Sequence, residues 1–409
     1  MRVPKARLLL AVAGLTAIAG SFVMGGTQIN AKAGAVRPFP VNRIDQIAWQ
    51  QFTLAVAPSG IAGKVKYETW ASDQDIYVAN PCPVSGTSPG CNKPVWPSAT
   101  SSQSAKPLQH SLLSRSHIGM ARGGKPTGVQ AIGPQQPCGS PGGLPPSGTA
   151  AANSGFPSIG CVGEEVRRDR ASFNYLVQNG LWSSAGLTAF YNAKGTVTFP
   201  TNALEVKADW IPVSALAQWL GQPQSFITAN FYTATANAGP NGATAVYAMT
   251  SMHVSVKAPG YPNWIWANFE NAYTPGRCDQ TGCRDNFGAK IASVPAKAKA
   301  WQQYGACPKS AAATAMMSQA SVAPVFANYC LTGTQTTYGT KARPTLLGSP
   351  IIEPLNANVP MASSSCISCH AGASFDATGP GNVGQPVGPN APAPGYIGYD
   401  FMWGLLAAN

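Results

Sequence analysis

The sequence predicts an α+β fold: one large loop-rich domain with antiparallel strands and few helices, followed by a separate C-terminal segment. The first observation is composition, because 409 residues with 44% hydrophobic and 10% charged side chains can bury a sizeable core. The second is the content of 43 glycines and 36 prolines, which favours short strands and long ordered loops over a helical bundle. The third is a pair of alternating segments, described below, that predict a β-hairpin.

The chain begins with the features of a secretory signal. Basic residues precede an apolar run at 8–24, and Ala31 and Ala33 then form an AxA-like cleavage site. We predict that residues 1–33 are a signal peptide and that the protein is periplasmic or secreted, with no stable membrane span after the signal is removed. A permanent N-terminal anchor is the alternative, because the apolar run approaches the length of a spanning helix.

The large domain is predicted at 34–340, with a loop-rich insertion at about 83–160 that is dense in proline, serine and glycine. The mixed-charge segment EEVRRDR at 164–170 is interpreted as a solvated face of an amphipathic helix near 167–178. Strands are expected near 196–199 and 204–210. Met316 and Met317 are expected in a helix core, because no histidine or cysteine lies at copper-ligand spacing beside them.

The charge balance is basic, with 27 lysines and arginines against 15 aspartates and glutamates. A basic surface suits an acidic partner. The basic residues are scattered, however, and no basic–aromatic ladder typical of nucleic-acid binding is present. We therefore predict no nucleic-acid partner.

Eight of the ten cysteines form four couples that are close in sequence. Each couple could close a short loop in an oxidising compartment. The predicted disulfides are Cys82–Cys91, Cys138–Cys161, Cys278–Cys283 and Cys307–Cys330. A zinc site at CDQTGC, 278–283, is the alternative for one couple, although no second ligand pair lies nearby.

The predicted hairpin contains one of the four histidines. In AVYAMTSMHVSVKA, at 245–258, even-numbered residues from 246 to 256 would face one side and odd-numbered residues from 247 to 257 the other. After the turn PGYP, the segment NWIWANFENAY forms the second strand and brings His253 roughly opposite Asn268, beside Trp266. Such a histidine suits a ligand or proton-handling role. The alternative is a histidine at the edge of the core that is hydrogen-bonded to its cross-strand neighbour.

The C-terminal segment, 341–409, carries SSSCISCHAG, in which Cys366, Cys369 and His370 form a CxxCH pattern. Covalent haem attachment requires two thiols that can reach the two vinyl groups and a histidine directly after the second thiol, which coordinates iron. A thioredoxin-like dithiol would open a helix after a buried strand, whereas these flanks predict loop, short helix, loop. A structural disulfide and another metal remain alternatives. We predict one haem c attached to both thiols, with His370 as an iron ligand.

The opposite face of the iron has several candidate ligands in the sequence. Only 39 residues follow His370, so the large domain must supply most of the haem pocket. The candidates are His110, His117, His253, Met361 and Met402. The first two lie in a polar, loop-like stretch, Met361 is too close to Cys366, and the apolar neighbours of Met402 favour a core position. We therefore predict His253 as the second metal ligand, with Trp264 and Trp266 as cofactor-binding residues beside the macrocycle.

Several segments resemble, in order, a group of large exported bacterial proteins described as cytochrome c family proteins with a single C-terminal CxxCH haem-attachment motif. The segments are IAWQQFTLAVA, YETWASDQDIY, RASFNYLVQNGLW, ALEVKADWIPV, SMHVSVKAPGYPNWIWANFEN, SSSCISCHAG and YDFMWGLL. That group has a histidine and a lysine where His253 and Lys257 stand. Its next strand resembles WxWATFEH, and this chain has Asn271 at the final histidine. The resemblance implies a haem protein and no defined reaction.

Two functions are compatible with these patterns. The first is an exported mono-haem c-type cytochrome for electron transfer with an acidic redox protein partner, favoured because no distal Arg–His pair of a haem enzyme is recognisable. The second is a haem-dependent oxidoreductase, peroxidase-like or oxygenase-like, with an open iron face and a small-molecule substrate. It is favoured by size, because simple carriers rarely need so large a domain. A third possibility is a binding protein in which haem is a structural staple.

Overall fold

The structure is a computed structural model that describes part of the chain. The described residues are 41–83, 86, 88–97, 163–237, 244–289, 302–340, 343–344, 346–353, 364–380, 392, 394–404 and 408. The predicted signal peptide, most of the predicted insertion, and the couple Cys138–Cys161 lie outside them. The described residues belong to one compact unit, Phe39–Asn409.

The described part contains eight α-helices. They are α1 Val41–Val56, α2 Asp73–Ile76, α3 Arg170–Gln178, α4 Ser184–Asn192, α5 Val213–Leu220, α6 Gln224–Asn230, α7 Ala311–Gln319 and α8 Cys366–His370. Several helices begin at a polar N-cap. Asp169, Ser183 and Ser310 each accept a hydrogen bond from the backbone N–H three residues later, which satisfies a donor that the first helical turn leaves free.

A seven-stranded antiparallel sheet forms the centre of this unit. Its strands are β1 Ala71–Ser72, β2 Gly163–Arg168, β3 Leu204–Pro212, β4 Thr233–Asn237, β5 Thr244–Val256, β6 Ile265–Asn271 and β7 Tyr329–Gln335. Their order is β1-β2-β3-β5-β6-β7, with β4 also paired to β5. Two smaller sheets contain β8 Gly339–Thr340 with β9 Arg343–Pro344, and β10 Ser374–Asp376 with β11 Gly379–Pro380 and β12 Ile397–Gly398. The predicted α+β class is confirmed.

One face of the sheet, here called the apolar face, packs against α1 and α7. The apolar side chains of its central strands are Val206, Ala208, Met252, Val254, Ala267, Phe269 and Leu331. From α1, the ring of Phe52 stacks on that of Phe269 with centroids 4.2 Å apart, and Trp49 meets Phe269 edge-on at 5.0 Å. Met317 of α7 belongs to the same core, as the sequence predicted.

The opposite face, here called the polar face, carries buried or half-buried polar side chains. Direct cross-strand pairs place these residues together: Arg168, Glu205, Lys207, Asp209, Ser251, His253, Ser255, Asn268 and Glu270. Residues 346–353, 364–380 and 394–404 contribute contacts to this face. The face is therefore covered mainly by irregular chain.

The segment EEVRRDR was interpreted wrongly as a solvated helix face. Its first five residues lie in β2, and the helix begins only at Arg170. Arg168 is buried and forms ion pairs with Asp73 and Glu205, while Arg167 pairs with Glu165 at 2.8 Å. Charges at these positions are tolerated because each is matched inside the fold, which local sequence does not reveal.

Two strand predictions also need correction. Residues 196–199 form no strand, although the strand expected at 204–210 is present as β3. The alternation predicted for the first hairpin strand holds from 251 to 256 and fails before it. A register shift between Asp209 and Trp210 places Met249 opposite Trp210, so Tyr247 and Met249 join the apolar face with Met252. Such a bulge exchanges the two faces of a strand.

Three of the four predicted disulfides are confirmed, and the fourth lies outside the described residues. They join Cys82 to Cys91, Cys278 to Cys283, and Cys307 to Cys330. The cysteines of CDQTGC are thus linked to each other, which overturns the zinc alternative. Disulfides are typical of proteins that fold in an oxidising compartment. Separately, no helix within the described ranges has the length and apolar character needed to cross a membrane.

Candidate functional site

The CxxCH motif forms a single short helix between irregular segments, as the sequence predicted. In α8, Cys366 is buried, Cys369 and His370 are half-buried, and neither cysteine is in a disulfide. Residues three apart in a helix lie on the same side, so both thiols face one region. The helix thus presents two thiols and an imidazole within one turn and a half.

Gln335, at the end of β7, attaches this helix to the sheet. Its side-chain oxygen accepts a hydrogen bond from the backbone N–H of Ile367 at 2.8 Å, and its side-chain nitrogen donates to Ser365 Oγ at 3.1 Å. Gln335 lies opposite Trp266 in the register of β6 and β7. The thiol of Cys366 contacts the carbonyl oxygen of Leu347 at 3.5 Å. The helix is therefore held against the sheet by specific polar contacts.

The imidazole of His370 has a defined tautomer. Its Nδ1 lies 2.7 Å from the carbonyl oxygen of Phe401. A carbonyl can only accept a hydrogen bond, so Nδ1 carries the proton and, in the neutral ring, Nε2 carries the lone pair. Metal-ligating histidines usually have this arrangement, in which the second nitrogen donates to a carbonyl that fixes the ring.

Two tryptophans of β6 and its preceding loop lie in the hydrophobic cluster that contains Cys366 and Met402. The ring centroid of Trp266 is 5.9 Å from that of His370 and 5.4 Å from that of Phe401. Trp264 is 1% exposed and meets Phe199 edge-on at 5.8 Å. Its buried indole N–H has no hydrogen-bond acceptor among the described residues, which is unusual for a buried donor.

The predicted position of His253 in the hairpin is confirmed. It pairs with Asn268 of β6 and with Lys207 of β3, so it lies on the polar face together with Trp266. Its side chain is half-buried. The structure therefore places His253 on the sheet face that contacts α8, while its role as a metal ligand stays a prediction.

The other candidates for the second iron ligand are distributed differently. Met402 is buried and directly follows Phe401, which binds the Nδ1 side of His370 and not the Nε2 side. This position agrees with the predicted core role of Met402. His110, His117 and Met361 lie outside the described residues.

The thiols of α8 are surrounded by low-polarity protein and two charges. Burial, followed by the negative charge of Glu353, raises the pKa of Cys366 well above its usual range. The same causes raise the pKa of Cys369 to about 11, and Lys207 and a hydrogen bond from Trp403 oppose them. Reactive dithiols of redox enzymes instead have a lowered pKa that favours the thiolate. The surroundings of Cys366 and Cys369 do not favour such a redox dithiol.

A buried carboxyl group lies further along the polar face. Glu270 accepts a hydrogen bond from the Asn268 side-chain amide at 3.1 Å, and that amide also donates to Thr332 and to the carbonyl of Gly348. Burial raises the pKa of Glu270 to about 8, and hydrogen bonds from Ser349 and Asn268 oppose the shift. This carboxyl is therefore largely protonated near neutral pH.

Two contributors to the site gave no signal in the sequence. Gln335 resembles any strand-end glutamine, and Phe401 contributes a backbone carbonyl, which no residue type encodes. Both act on α8 from 31 or more residues away in the chain. A pattern search confined to neighbouring residues could not have identified them.

A scan of the chain against protein-family models finds no match, and searches of curated proteins and of solved structures find no significant one.

Proposed function

We propose that this protein is an exported mono-haem c-type cytochrome that binds one haem covalently and transfers electrons. The observation that best supports this is the hydrogen bond from His370 Nδ1 to the Phe401 carbonyl. The helix that contains His370 also carries two thiols that form no disulfide. This hydrogen bond keeps the proton on Nδ1, so the lone pair of the neutral ring is on Nε2, the nitrogen that would bind the metal. The two thiols are the attachment points for haem.

The residues of the site fit a haem c. Cys366 and Cys369 would hold it, each by adding its S–H across one vinyl double bond, which needs no oxidant. His370 would ligate the iron through Nε2, and His253 is the proposed second ligand. The aromatic side chains of Trp264 and Trp266 would cover part of the macrocycle. When bound, the haem supplies one-electron oxidation and reduction.

The chain itself performs three tasks in this proposal. The Phe401 carbonyl holds the imidazole of His370 in one orientation and keeps its proton on Nδ1. Trp266 packs against both that imidazole and the ring of Phe401. Gln335 fixes the helix to the sheet. Fixed ligands suit electron transfer, because little rearrangement is needed when the iron changes its charge.

The proposal includes export to the periplasm or the outside of the cell, which the three disulfides favour. The redox partner would be an acidic protein, matched to the basic charge balance of this chain. The resemblance to large exported cytochrome c family proteins agrees with the proposed export.

A second candidate function is a haem-dependent oxidoreductase, peroxidase-like or oxygenase-like, with one open iron face. The observation that favours it is the buried carboxyl of Glu270, protonated near neutral pH on the same sheet face as His253. Such a group can deliver a proton to a bound small molecule. Carbon monoxide separates the two functions: a six-coordinate low-spin iron does not react with it, and an open iron face binds it.

The deciding experiment is expression with the c-type maturation machinery, followed by a denaturing gel stained for haem. We expect a stained band for the wild type and none for the Cys366→Ser, Cys369→Ser double variant. The matched control is Cys278→Ser, Cys283→Ser, which removes two cysteines of a disulfide and should keep the stain. An unstained wild-type band would contradict the proposed function.

A further inference from the structure

We propose that the ion pair between Lys257 and Asp400 is a positioning device for His370, which it controls through the backbone carbonyl of Phe401. This inference rests on the proposed function, because it assigns a purpose to the orientation of an iron-ligating imidazole. It concerns two residues that touch neither the thiols nor the imidazole in any described contact.

The backbone at this position is strained. Asp400 and Phe401 have φ angles of 49° and 69°, in the left-handed region that side chains other than glycine rarely adopt. The other non-glycine residues with positive φ in the described ranges are isolated and polar: Asn80, Lys194, Asn202 and Ser321. Two consecutive left-handed residues, one of them a phenylalanine, are sterically unfavourable. Surrounding contacts must therefore hold this turn.

The holding contacts come from the sheet. One carboxylate oxygen of Asp400 accepts hydrogen bonds from the Lys257 ammonium and from the backbone N–H of Phe199, the latter at 2.7 Å. Lys257 directly follows β5, and Phe199 lies shortly before β3. The side chains of Lys257 and Asp400 are only 18% and 13% exposed, so solvent screens their attraction less than on an open surface.

Both sides of the turn are fixed as well. Tyr399 is buried and donates its hydroxyl to the Leu181 carbonyl at 2.6 Å, and the backbone N–H of Met402 donates to the Tyr399 carbonyl at 3.1 Å. With its neighbours held, the turn at Asp400 determines where the Phe401 carbonyl points. That carbonyl meets His370 Nδ1 at 2.7 Å. The ionic contacts of Asp400 thus determine where the neutral Phe401 carbonyl lies.

The acceptor affects the iron through the imidazole. A short hydrogen bond from Nδ1 makes the ring a stronger electron donor at Nε2. A stronger donor stabilises the oxidised iron and lowers its reduction potential. Release of the Phe401 carbonyl would weaken the hydrogen bond from Nδ1 and shift the redox equilibrium toward reduced iron.

The test compares the reduction potentials of Lys257→Met and Asp400→Ala with that of the wild-type haem protein. A direct effect of charge on the iron would have opposite signs in the two variants, because one loses a positive and the other a negative charge. Positioning predicts the same sign in both: a 3- to 10-fold shift toward reduced iron, about 30 to 60 mV for one electron. Lys257→Arg keeps the ion pair and should restore a near-wild-type potential.

Two further variants separate positioning from stability. Asp400→Asn tolerates the left-handed backbone and still accepts from the Phe199 N–H, so it should fold and show a smaller shift of the same sign. Glu165→Gln breaks the buried ion pair with Arg167 in β2 and should lower stability without moving the potential. Opposite signs in Lys257→Met and Asp400→Ala, or unchanged potentials in folded variants, would overturn the inference.

Failure of the proposed function has a different signature. A wild-type protein without haem stain would contradict the haem assignment, and the positioning of His370 would then be measured without haem. Nitrogen-15 NMR of the imidazole should show the proton on Nδ1 in the wild type and a mixture of tautomers in Asp400→Ala. Identical tautomer populations in both proteins would overturn the inference independently.

Discussion

The two faces of the central sheet are stabilised by different physical interactions. The apolar face is covered by helices whose rings and aliphatic side chains pack without directional bonds, as Phe52 does on Phe269. The polar face is covered by irregular chain that makes directional contacts, such as Gln335 with Ile367 and Asp400 with Lys257. Packing gives stability that tolerates small changes of geometry. Hydrogen bonds and ion pairs fix atoms more narrowly, which the proposed iron-ligating imidazole would require.

The largest effect on stability is expected on the apolar face. Phe52→Ala removes a buried ring that contacts Trp49, Phe269 and Tyr329, and should lower the free energy of unfolding by about 3–5 kcal/mol. Leu54→Ala in the same helix is the matched control, because Leu54 is 42% exposed and should change stability by less than about 0.5 kcal/mol. Denaturant titration measures both.

The same pair of variants tests whether the apolar face and the polar face are independent of each other. If the proposed haem is bound, its visible spectrum should be unchanged in Phe52→Ala under conditions where this variant stays folded. A spectrum altered as strongly as by a substitution near α8 would show that the two faces are not independent.

An intermediate effect is expected on the polar face at Glu270. Its pKa is about 8 in the folded protein and 4.5 in an unfolded chain, so the folded state binds the proton more tightly. The contribution of Glu270 to the free energy of unfolding is then fully present below about pH 4.5 and is lost as the pH rises toward 8. Each unit of pKa shift corresponds to about 1.4 kcal/mol. Glu270→Gln should remove this fall and make the protein more stable than the wild type at pH 8, by up to a few kcal/mol.

The measurement is the free energy of unfolding of both proteins at several pH values between 5 and 8. The difference between them isolates Glu270 from other groups that titrate in this range. Parallel curves for the wild type and Glu270→Gln would show that the carboxyl is not the source of the pH dependence.

The smallest effect on stability, but the clearest change in the visible spectrum, is expected for His253→Ala. Truncation of this half-buried side chain should cost about 1 kcal/mol. If His253 ligates the iron, its removal should convert a low-spin spectrum to a high-spin one and shift the potential. An unchanged spectrum with lowered stability would make His253 a structural residue and Met402 the better ligand candidate.

Local patterns predicted the elements that local chemistry determines. Alternation in the hairpin predicted the pairing of His253 with Asn268, and cysteine spacing predicted the three disulfides that lie in the described residues. The loop flanks of CxxCH predicted its short helix. Each of these depends on residues within about 25 positions of one another.

The sequence failed where distant residues determine the outcome. Arg168 looked solvated because its partners Asp73 and Glu205 are distant in the chain and meet it only in the folded sheet. The bulge in β5 has no marker in an alternating strand, so the faces of Tyr247 and Met249 were exchanged. The contact of Lys257 with Asp400 spans 143 positions, and the left-handed turn it holds has no glycine to reveal it.

The irregular cover of the polar face also imposes an order on events during folding. Tyr399 binds Leu181, 218 positions earlier, and Asp400 binds Phe199, 201 positions earlier, so both contacts must wait for slow closure of long loops. The strands β2 to β7 precede residues 364–404 in the chain, so their pairing can come first. During that delay the thiols of α8 are open to enzymes, whereas afterwards Cys366 is 7% exposed. Under the proposed function, covalent attachment of haem would therefore have to precede docking of this last segment.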